Sequence, residues 1–308
     1  RLEDMTPCIA CLQGCVANMY AGNPVCCLTN PFLGHEAEPL EKAEEPKKVM
    51  VIGGGVAGLS AAFIAKERGH EVTLYEAGDV LGGNMRLAAY PPGKGDITNM
   101  IRSYIHRCQK DGVKIVMNCE VTPELIKEEK PDSVIIATGS KTLILPIEGI
   151  DNPAIIHGSD LLDGKRAAGK KVLVVGGGMV GCETAAFLGE QEHDVTVIEF
   201  RDTVGADVIH EHRVYLMKDF EDYGIKEITG AKVCKFYEDG VEYETADGVR
   251  HESRGYDSVI LSMGFRNYNP LEEKIKDLVP ETHVIGDAIR ARRALDATKE
   301  AYEVASRI

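Results

Sequence analysis

The sequence predicts an α/β chain of two parallel-sheet domains built on one plan, the second inserted into the first, and three observations point to it. Residues 47–76 can be laid without a gap on residues 170–199, at an offset of 123. Each copy opens with a short apolar, β-branched run, VMVI at 49–52 and VLVV at 172–175, suited to a parallel strand buried on both faces. Each run leads into Gly-x-Gly-x-x-Gly, a helix-compatible stretch and a second strand ending in an acid. A strand, glycine turn and helix written twice is the mark of two Rossmann-like dinucleotide-binding units.

The glycines have separate tasks. Gly53 and Gly176 allow the tight turn, Gly55 and Gly178 let the backbone approach a pyrophosphate, and Gly58 and Gly181 let helix and strand pack closely. Met179 and Val180, between the second and third glycines of the later copy, belong to the same nucleotide-binding turn. The helix that follows offers unpaired N–H groups and the positive end of its dipole. Glu76 and Glu199 each lie 23 residues beyond the first glycine of their motif, where a carboxylate can accept hydrogen bonds from ribose hydroxyls.

Two such sites imply two nucleotides, one a bound flavin and one an exchangeable nicotinamide. After Glu76 comes Leu81-Gly82-Gly83-Asn84, a turn placed to reach a flavin beyond the pyrophosphate. Near the C-terminus, His283-Val284-Ile285-Gly286-Asp287-Ala288 reads as a strand end before a helix-prone run at 291–308, with Asp287 suited to a ribityl hydroxyl. The second motif is enclosed between Ala137-Thr138-Gly139-Ser140 and Ser262-Met263-Gly264. The expected order is therefore a cysteine-rich segment and linker at 1–47, an FAD domain begun at 48–151 and finished at 267–308, and an NAD(P) domain at 152–266. Glu199 would repel the 2′-phosphate of NADP and favours NADH, while Arg201 keeps NADPH open as the less favoured choice.

The remaining elements follow from periodicity. Residues 95–108 have helical apolar spacing, 113–116 and 133–137 read as returning strands, and 207–223 as a helix. Alternating strands are expected at 231–237 and 240–245, and a turn at 268–270 leads back to the first domain. Residues 36–48, rich in Pro and charge, read as an exposed linker.

Cys8, Cys11, Cys15 and Cys27 form C-x2-C-x3-C-x11-C, with Cys26 adjacent. Four thiolates can hold zinc or a [4Fe–4S] cluster. Structural zinc usually takes two C-x-x-C knuckles, which this spacing is not, and a neighbouring flavin gives an iron–sulfur cluster a task. Spacing alone leaves Cys26 and Cys27 as alternatives for the fourth ligand. Cys108, Cys119, Cys182 and Cys234 are isolated and read as inert thiols, so the redox cysteine pair that a disulfide reductase needs is missing from the segments beside either motif.

The opening RLEDMTPCIACLQGC, the later CLTNPFLGHE, the twin glycine motifs and the ending VIGDA with RALDATKEAYEVA together resemble the C-terminal part of the 2,4-dienoyl-CoA reductase, enoate reductase and trimethylamine dehydrogenase family. The resemblance covers essentially the whole chain. It implies that Cys8, Cys11, Cys15 and Cys27 hold the cluster, which favours Cys27 over Cys26. It implies that Gly53, Gly55, Ala57, Gly58, Glu76, Gly83, Asn84 and Asp287 hold FAD, with the backbone of Val121 against adenine. Asn84 stands where the family more usually has Gln. The resemblance further implies an FMN-carrying TIM barrel ahead of the cluster segment, normally on the same chain. That barrel would bear the substrate site for an activated alkene such as an enoate or enoyl-CoA. The chain starts without Met inside what would be the barrel-to-cluster connection, so a fragment is expected. The trimethylamine dehydrogenase branch holds ADP at the first site, which leaves a non-catalytic nucleotide module as an alternative to electron transfer.

Composition agrees. The 308 residues, 44% of them hydrophobic, suffice for two such cores. A net charge of −14, from 49 acids against 35 bases, disfavours nucleic acid and anionic membranes as partners. The apolar stretch at 49–65 is explained by its glycine motif and is short for a membrane span. Nothing marks secretion, so a cytoplasmic setting is expected. No single side chain is expected to be an indispensable catalyst, because hydride transfer between bound nucleotides needs placement more than acid–base chemistry.

Overall fold

The computed structural model describes residues 1–308, the side chain of Leu2 excepted. The chain divides into two compact units: Arg1–Ala89, Asp96–Lys141 and Arg266–Ile308 make the first, and Tyr90–Gly95 with Thr142–Phe265 the second.

The first unit is organised by a five-stranded sheet in the order Glu281–Val284, Ser133–Ile136, Lys48–Ile52, Glu71–Tyr75, Lys114–Val116, with every pairing parallel. The strand of the first glycine motif lies at its centre, and four of its five residues are buried in succession, as its unbroken apolar run requires. The last strand joins from the far end of the chain, in register from Glu281 on Ser133 to Val284 on Ile136. Helix Val56–Glu67 follows the glycine turn and is buried almost all round, with Leu59, Phe63 and Ile64 wholly inaccessible. Helix Ile97–Lys110 buries Ile97, Met100, Ile101, Tyr104 and Cys108, the single face that the spacing predicts.

The cysteine segment belongs to this unit and is mostly irregular, with one short helix at Val16–Tyr20. Its anchor is aromatic. Tyr104 donates its hydroxyl to the carbonyls of Leu28 at 3.0 Å and Thr29 at 3.3 Å, Phe32 meets Phe63 and Tyr302, and the Arg107 guanidinium lies 4.2 Å from the centre of the Phe63 ring. These contacts tie the residues just after Cys27 to helices of the first unit.

The second unit repeats the plan with its own parallel sheet, Ile155–His157, Ser258–Leu261, Lys171–Val175, Asp194–Ile198, Lys226–Ile228. Helix Met179–Glu190 follows its glycine turn. An antiparallel sheet of Lys232–Tyr237, Gly240–Glu244 and Arg250–Arg254 is added, and the third of these strands, polar and exposed, gave no apolar alternation to read.

Some elements differ from expectation. The helix expected over 207–223 is His210–Asp222, because residues 203–207 turn back to the glycine motif, where Gly205 donates its N–H to the Gly177 carbonyl at 2.7 Å. Residues Tyr90–Gly95 leave the first unit for the second, where Lys94 forms an ion pair with Glu183. No helix among the described residues is long and apolar enough to cross a membrane.

Replacing Tyr104 by Phe keeps the ring packing and leaves two carbonyls without their donor. Denaturant unfolding is expected to show a loss of about 1–3 kcal/mol. An unchanged unfolding midpoint would mean that the hydroxyl does not hold the cysteine segment.

Candidate functional site

In both units the site grows from the first glycine of the motif. Gly53 and Gly176 adopt φ of +110° and +107°, and a Cβ on either would run into a carbonyl oxygen of the adjacent strand end, Ala137 or Ser262. Gly58 and Gly181 admit no Cβ either, since it would strike the carbonyl oxygen of the first glycine. The helix therefore starts directly above the strand, with its free N–H groups at the sheet's C-terminal edge. Above Gly55 the space is open, with no atom within 4 Å of where a Cβ would stand.

The two acids grip these turns. Glu76 accepts the N–H of Gly54 at 2.7 Å on one oxygen and that of Gly78 at 2.7 Å on the other. Glu199 does the same with Gly177 at 2.5 Å and Arg201 at 2.9 Å. A carboxylate offers about four acceptor positions, so each acid keeps capacity for sugar hydroxyls. Beside Glu76 the chain is held by the N–H of Cys119 on the Glu76 carbonyl at 2.9 Å, which carries the backbone past the acid to Val121, whose side chain is buried. Gly139 and Gly264 follow the strands next to the two motifs, with φ of +73° and +97° and open space around them.

The C-terminal segment completes the first site. Asp287 sits in the short 3-10 turn Gly286–Ala288, accepts the Ser140 hydroxyl at 2.9 Å on one oxygen and accepts the Arg292 N–H at 3.0 Å on the other. Gly286 has φ +63° and donates its N–H to Glu300 at 2.7 Å. Gly82 donates to the Gly54 carbonyl at 2.8 Å, bringing Gly83 and Asn84 beside the first motif, and the Asn84 amide lies 3.4 Å from the Ser140 carbonyl. Asn84, Ser140 and Asp287 thus form one polar cluster near the glycine turn, assembled from three distant stretches of chain. Ala57 lies against Gly286, with a Cβ on that glycine falling 3.1 Å from the Ala57 methyl.

Two residues of the second unit stand at the site although the sequence assigns them no site role. Glu183 is buried in the helix after the glycine turn and pairs with Lys94. Asp207 accepts the N–H of Met179 at 2.8 Å, at the head of the same helix. Asp207 was legible in principle, since the offset of 123 that relates the motifs also relates Leu81-Gly82-Gly83-Asn84 to Val204-Gly205-Ala206-Asp207. Identity is low there, and only the common hydrogen bond of Gly82 or Gly205 to its motif exposes the correspondence.

The cysteines fall into two sets. Ala10 and Leu12 take φ of +50° and +54°, curling the chain around the first thiols, and the Cys26 N–H bonds to the Gly14 carbonyl at 2.8 Å, bringing the second stretch against the first. Burial pushes the Cys11 thiol up, and the neighbouring charges of Cys27, Cys15 and Cys8 push it further. The Cys26 sulfur accepts from the Asn18 amide at 3.4 Å. Among the described residues no group of three or more His, Cys, Asp or Glu is gathered as for a single metal ion. The four-thiol donor set fits an iron–sulfur cluster chemically. Cys182 and Cys108 are different: both are buried, and burial pushes each thiol up to about 12. Cys182 donates to the Gly177 carbonyl at 3.2 Å and so serves the turn, and neither thiol is in a disulfide.

Two like sheets, each with a glycine turn, a helix head and an acid, define an oxidoreductase fold with two dinucleotide turns. The pyridine nucleotide-disulphide oxidoreductase family matches residues 47–285, and the chain belongs to it. That family is one of oxidoreductases that use a pyridine nucleotide. The chain is 34% identical to a cinnamate reductase of Clostridium sporogenes over 312 residues, covering 100% of this chain and 46% of that protein. It is 33% identical to an NADH oxidase of Thermoanaerobacter brockii, covering 100% of this chain and 48% of that one. A 2-naphthoyl-CoA reductase structure superposes with a TM-score of 0.94 at 33% identity, covering 100% of this chain and 47% of that protein. The chain spans about half the length of the curated relatives it matches and corresponds to their C-terminal part.

An unfolded thiol ionises near 9.0, whereas Cys182 and Cys108 keep their protons to about 12. The folded chain binds more protons between those values, so its stability falls as pH rises from 9 toward 12. Alkylation at pH 8 is expected to spare both residues in the native chain and to label both after unfolding; native labelling of Cys182 would contradict the inert-thiol reading.

Proposed function

We propose that this chain is the NADH-oxidising, electron-transfer half of an iron–sulfur flavoenzyme that reduces activated alkenes of the enoate or enoyl-CoA type. The observation that carries the reading is the unequal completion of two equal turns. The first turn is closed by the C-terminal strand and the Asn84, Ser140 and Asp287 cluster, as suits a resident nucleotide, and the second stands on a unit of its own, as suits an exchanging one. The names of the cinnamate reductase and 2-naphthoyl-CoA reductase relatives support the substrate class, and that of the NADH oxidase supports the reductant.

FAD would be held by Gly53, Gly55, Ala57, Gly58, Glu76, Gly82, Gly83, Asn84, the Val121 backbone, Gly139, Gly286 and Asp287. A [4Fe–4S] cluster would be held by Cys8, Cys11, Cys15 and Cys27. When bound, the flavin would supply conversion between hydride and single electrons, and the cluster a one-electron relay toward FMN in a TIM barrel of the kind the enoate reductase family normally carries on the same chain.

The chain's own residues bind and orient. Gly176, Gly178 and Gly181 admit the NADH pyrophosphate to the N–H groups at Met179 and Val180, and Gly264 leaves the neighbouring strand end clear. Glu199 takes the ribose hydroxyls and sets a negative charge where a 2′-phosphate would fall, which favours NADH over NADPH. No side chain is assigned a proton-transfer role. The protonated, solitary state of Cys182 and Cys108 weighs against a disulfide reductase on the same fold.

Purified anaerobically, the protein is expected to show flavin and broad iron–sulfur absorbance, both bleached by NADH. A flavin-free spectrum that NADH leaves unchanged would overturn the proposal and favour a non-catalytic ADP-binding module. Glu199→Ala should weaken NADH roughly tenfold to a hundredfold, with a smaller loss for NADPH; equal losses would refute the NADH assignment. Iron content should collapse in Cys27→Ser and survive in Cys26→Ser, and the reverse pattern would exchange their roles.

A further inference from the structure

The helix head of the second unit already holds an anion, and that anion is part of the chain. Asp207 is exposed, lies in the turn before helix His210–Asp222, and accepts the Met179 N–H at 2.8 Å. Its two oxygens stand 3.5 and 3.6 Å from where a Cβ on Gly178 would be. That is the space a missing side chain leaves for a pyrophosphate. The equivalent space over Gly55 is open, and the equivalent residue, Asn84, is neutral and directs its amide to Ser140.

We propose that Asp207 is an internal competitor for the NADH pyrophosphate: its carboxylate caps the helix Met179–Glu190 when the nucleotide is away and must swing out for the nucleotide to bind. The inference rests on the assignment of NADH to the second unit and deepens it. Two anions cannot share one helix head, because each seeks the same N–H donors and the same positive dipole end while repelling the other. The displaced carboxylate has solvent to enter. Gly205, two residues earlier, keeps the turn fastened through its bond to the Gly177 carbonyl, so only the segment beyond it needs to move. The consequence is a site whose stability does not depend on its ligand and whose affinity is held down. That suits a nucleotide that leaves after every turnover, and it explains why the carboxylate is at the second turn and not at the first.

The test uses the full chain with its bound groups. The dissociation constants of NADH and NADPH are measured by nucleotide fluorescence for wild type, Asp207→Asn and Asp207→Ala, and thermal unfolding is followed without nucleotide. Loss of the competing carboxylate is expected to tighten both nucleotides about threefold to tenfold. Asp207→Ala should also lower the melting temperature of the nucleotide-free protein, because the helix loses its cap, whereas the amide oxygen of Asp207→Asn can still accept the Met179 N–H. A residue with a merely structural role would weaken binding and stability together. Unchanged or weaker binding in Asp207→Asn, which preserves shape, overturns the proposal. If wild type binds neither nucleotide, the assignment of the second unit fails as well, whereas wild-type binding without tightening in the variants fails the carboxylate alone.

Discussion

Everything in the two sites depends on one steric condition, the closeness of helix to strand across the glycine turn. Gly58 and Gly181 let the helix backbone rest on the carbonyl of the first glycine, and Gly53 and Gly176 let that turn rest on the neighbouring strand end. With any side chain at these points the helix would lift, and its free N–H groups would no longer stand over the edge of the sheet. The acids then fix the turn from the other side, each spanning two backbone N–H groups. Placing a carboxylate against these donors is favourable because they are otherwise unpaired.

On this common frame the units diverge by what the rest of the chain brings to it. The first unit receives a fifth strand and a 3-10 turn from the C-terminal end of the chain, the polar cluster of Asn84, Ser140 and Asp287, and the cysteine segment anchored through Tyr104. The second receives an antiparallel sheet, the pair of Lys94 with Glu183, and the Asp207 cap. The differences between the two units come from these additions and not from the turn.

Much of this was legible in the residues. The central strands, the glycine turns, their helices and the acids are local patterns whose causes lie within thirty residues, and each was found where the periodicity put it. The start of helix His210–Asp222 was misplaced by three residues, because Asp207, whose position before a helix resembles an ordinary first-turn acid, is spent on a different helix. The strand Arg250–Arg254 escaped because an exposed polar edge has no burial to pattern it.

The duplicated frame, the acids that grip it and the thiols ahead of it follow from the residues alone, because each rests on short-range spacing and on which residue types fit a strand, a turn or a helix head. The tertiary structure alone set the order and register in which the C-terminal strand joins its sheet, the approach of the Cys26 sulfur to the Asn18 amide, and the carboxylate that occupies one helix head but not the other. Those outcomes depend on contacts between residues far apart in the chain, for which neither propensity nor period carries a signal.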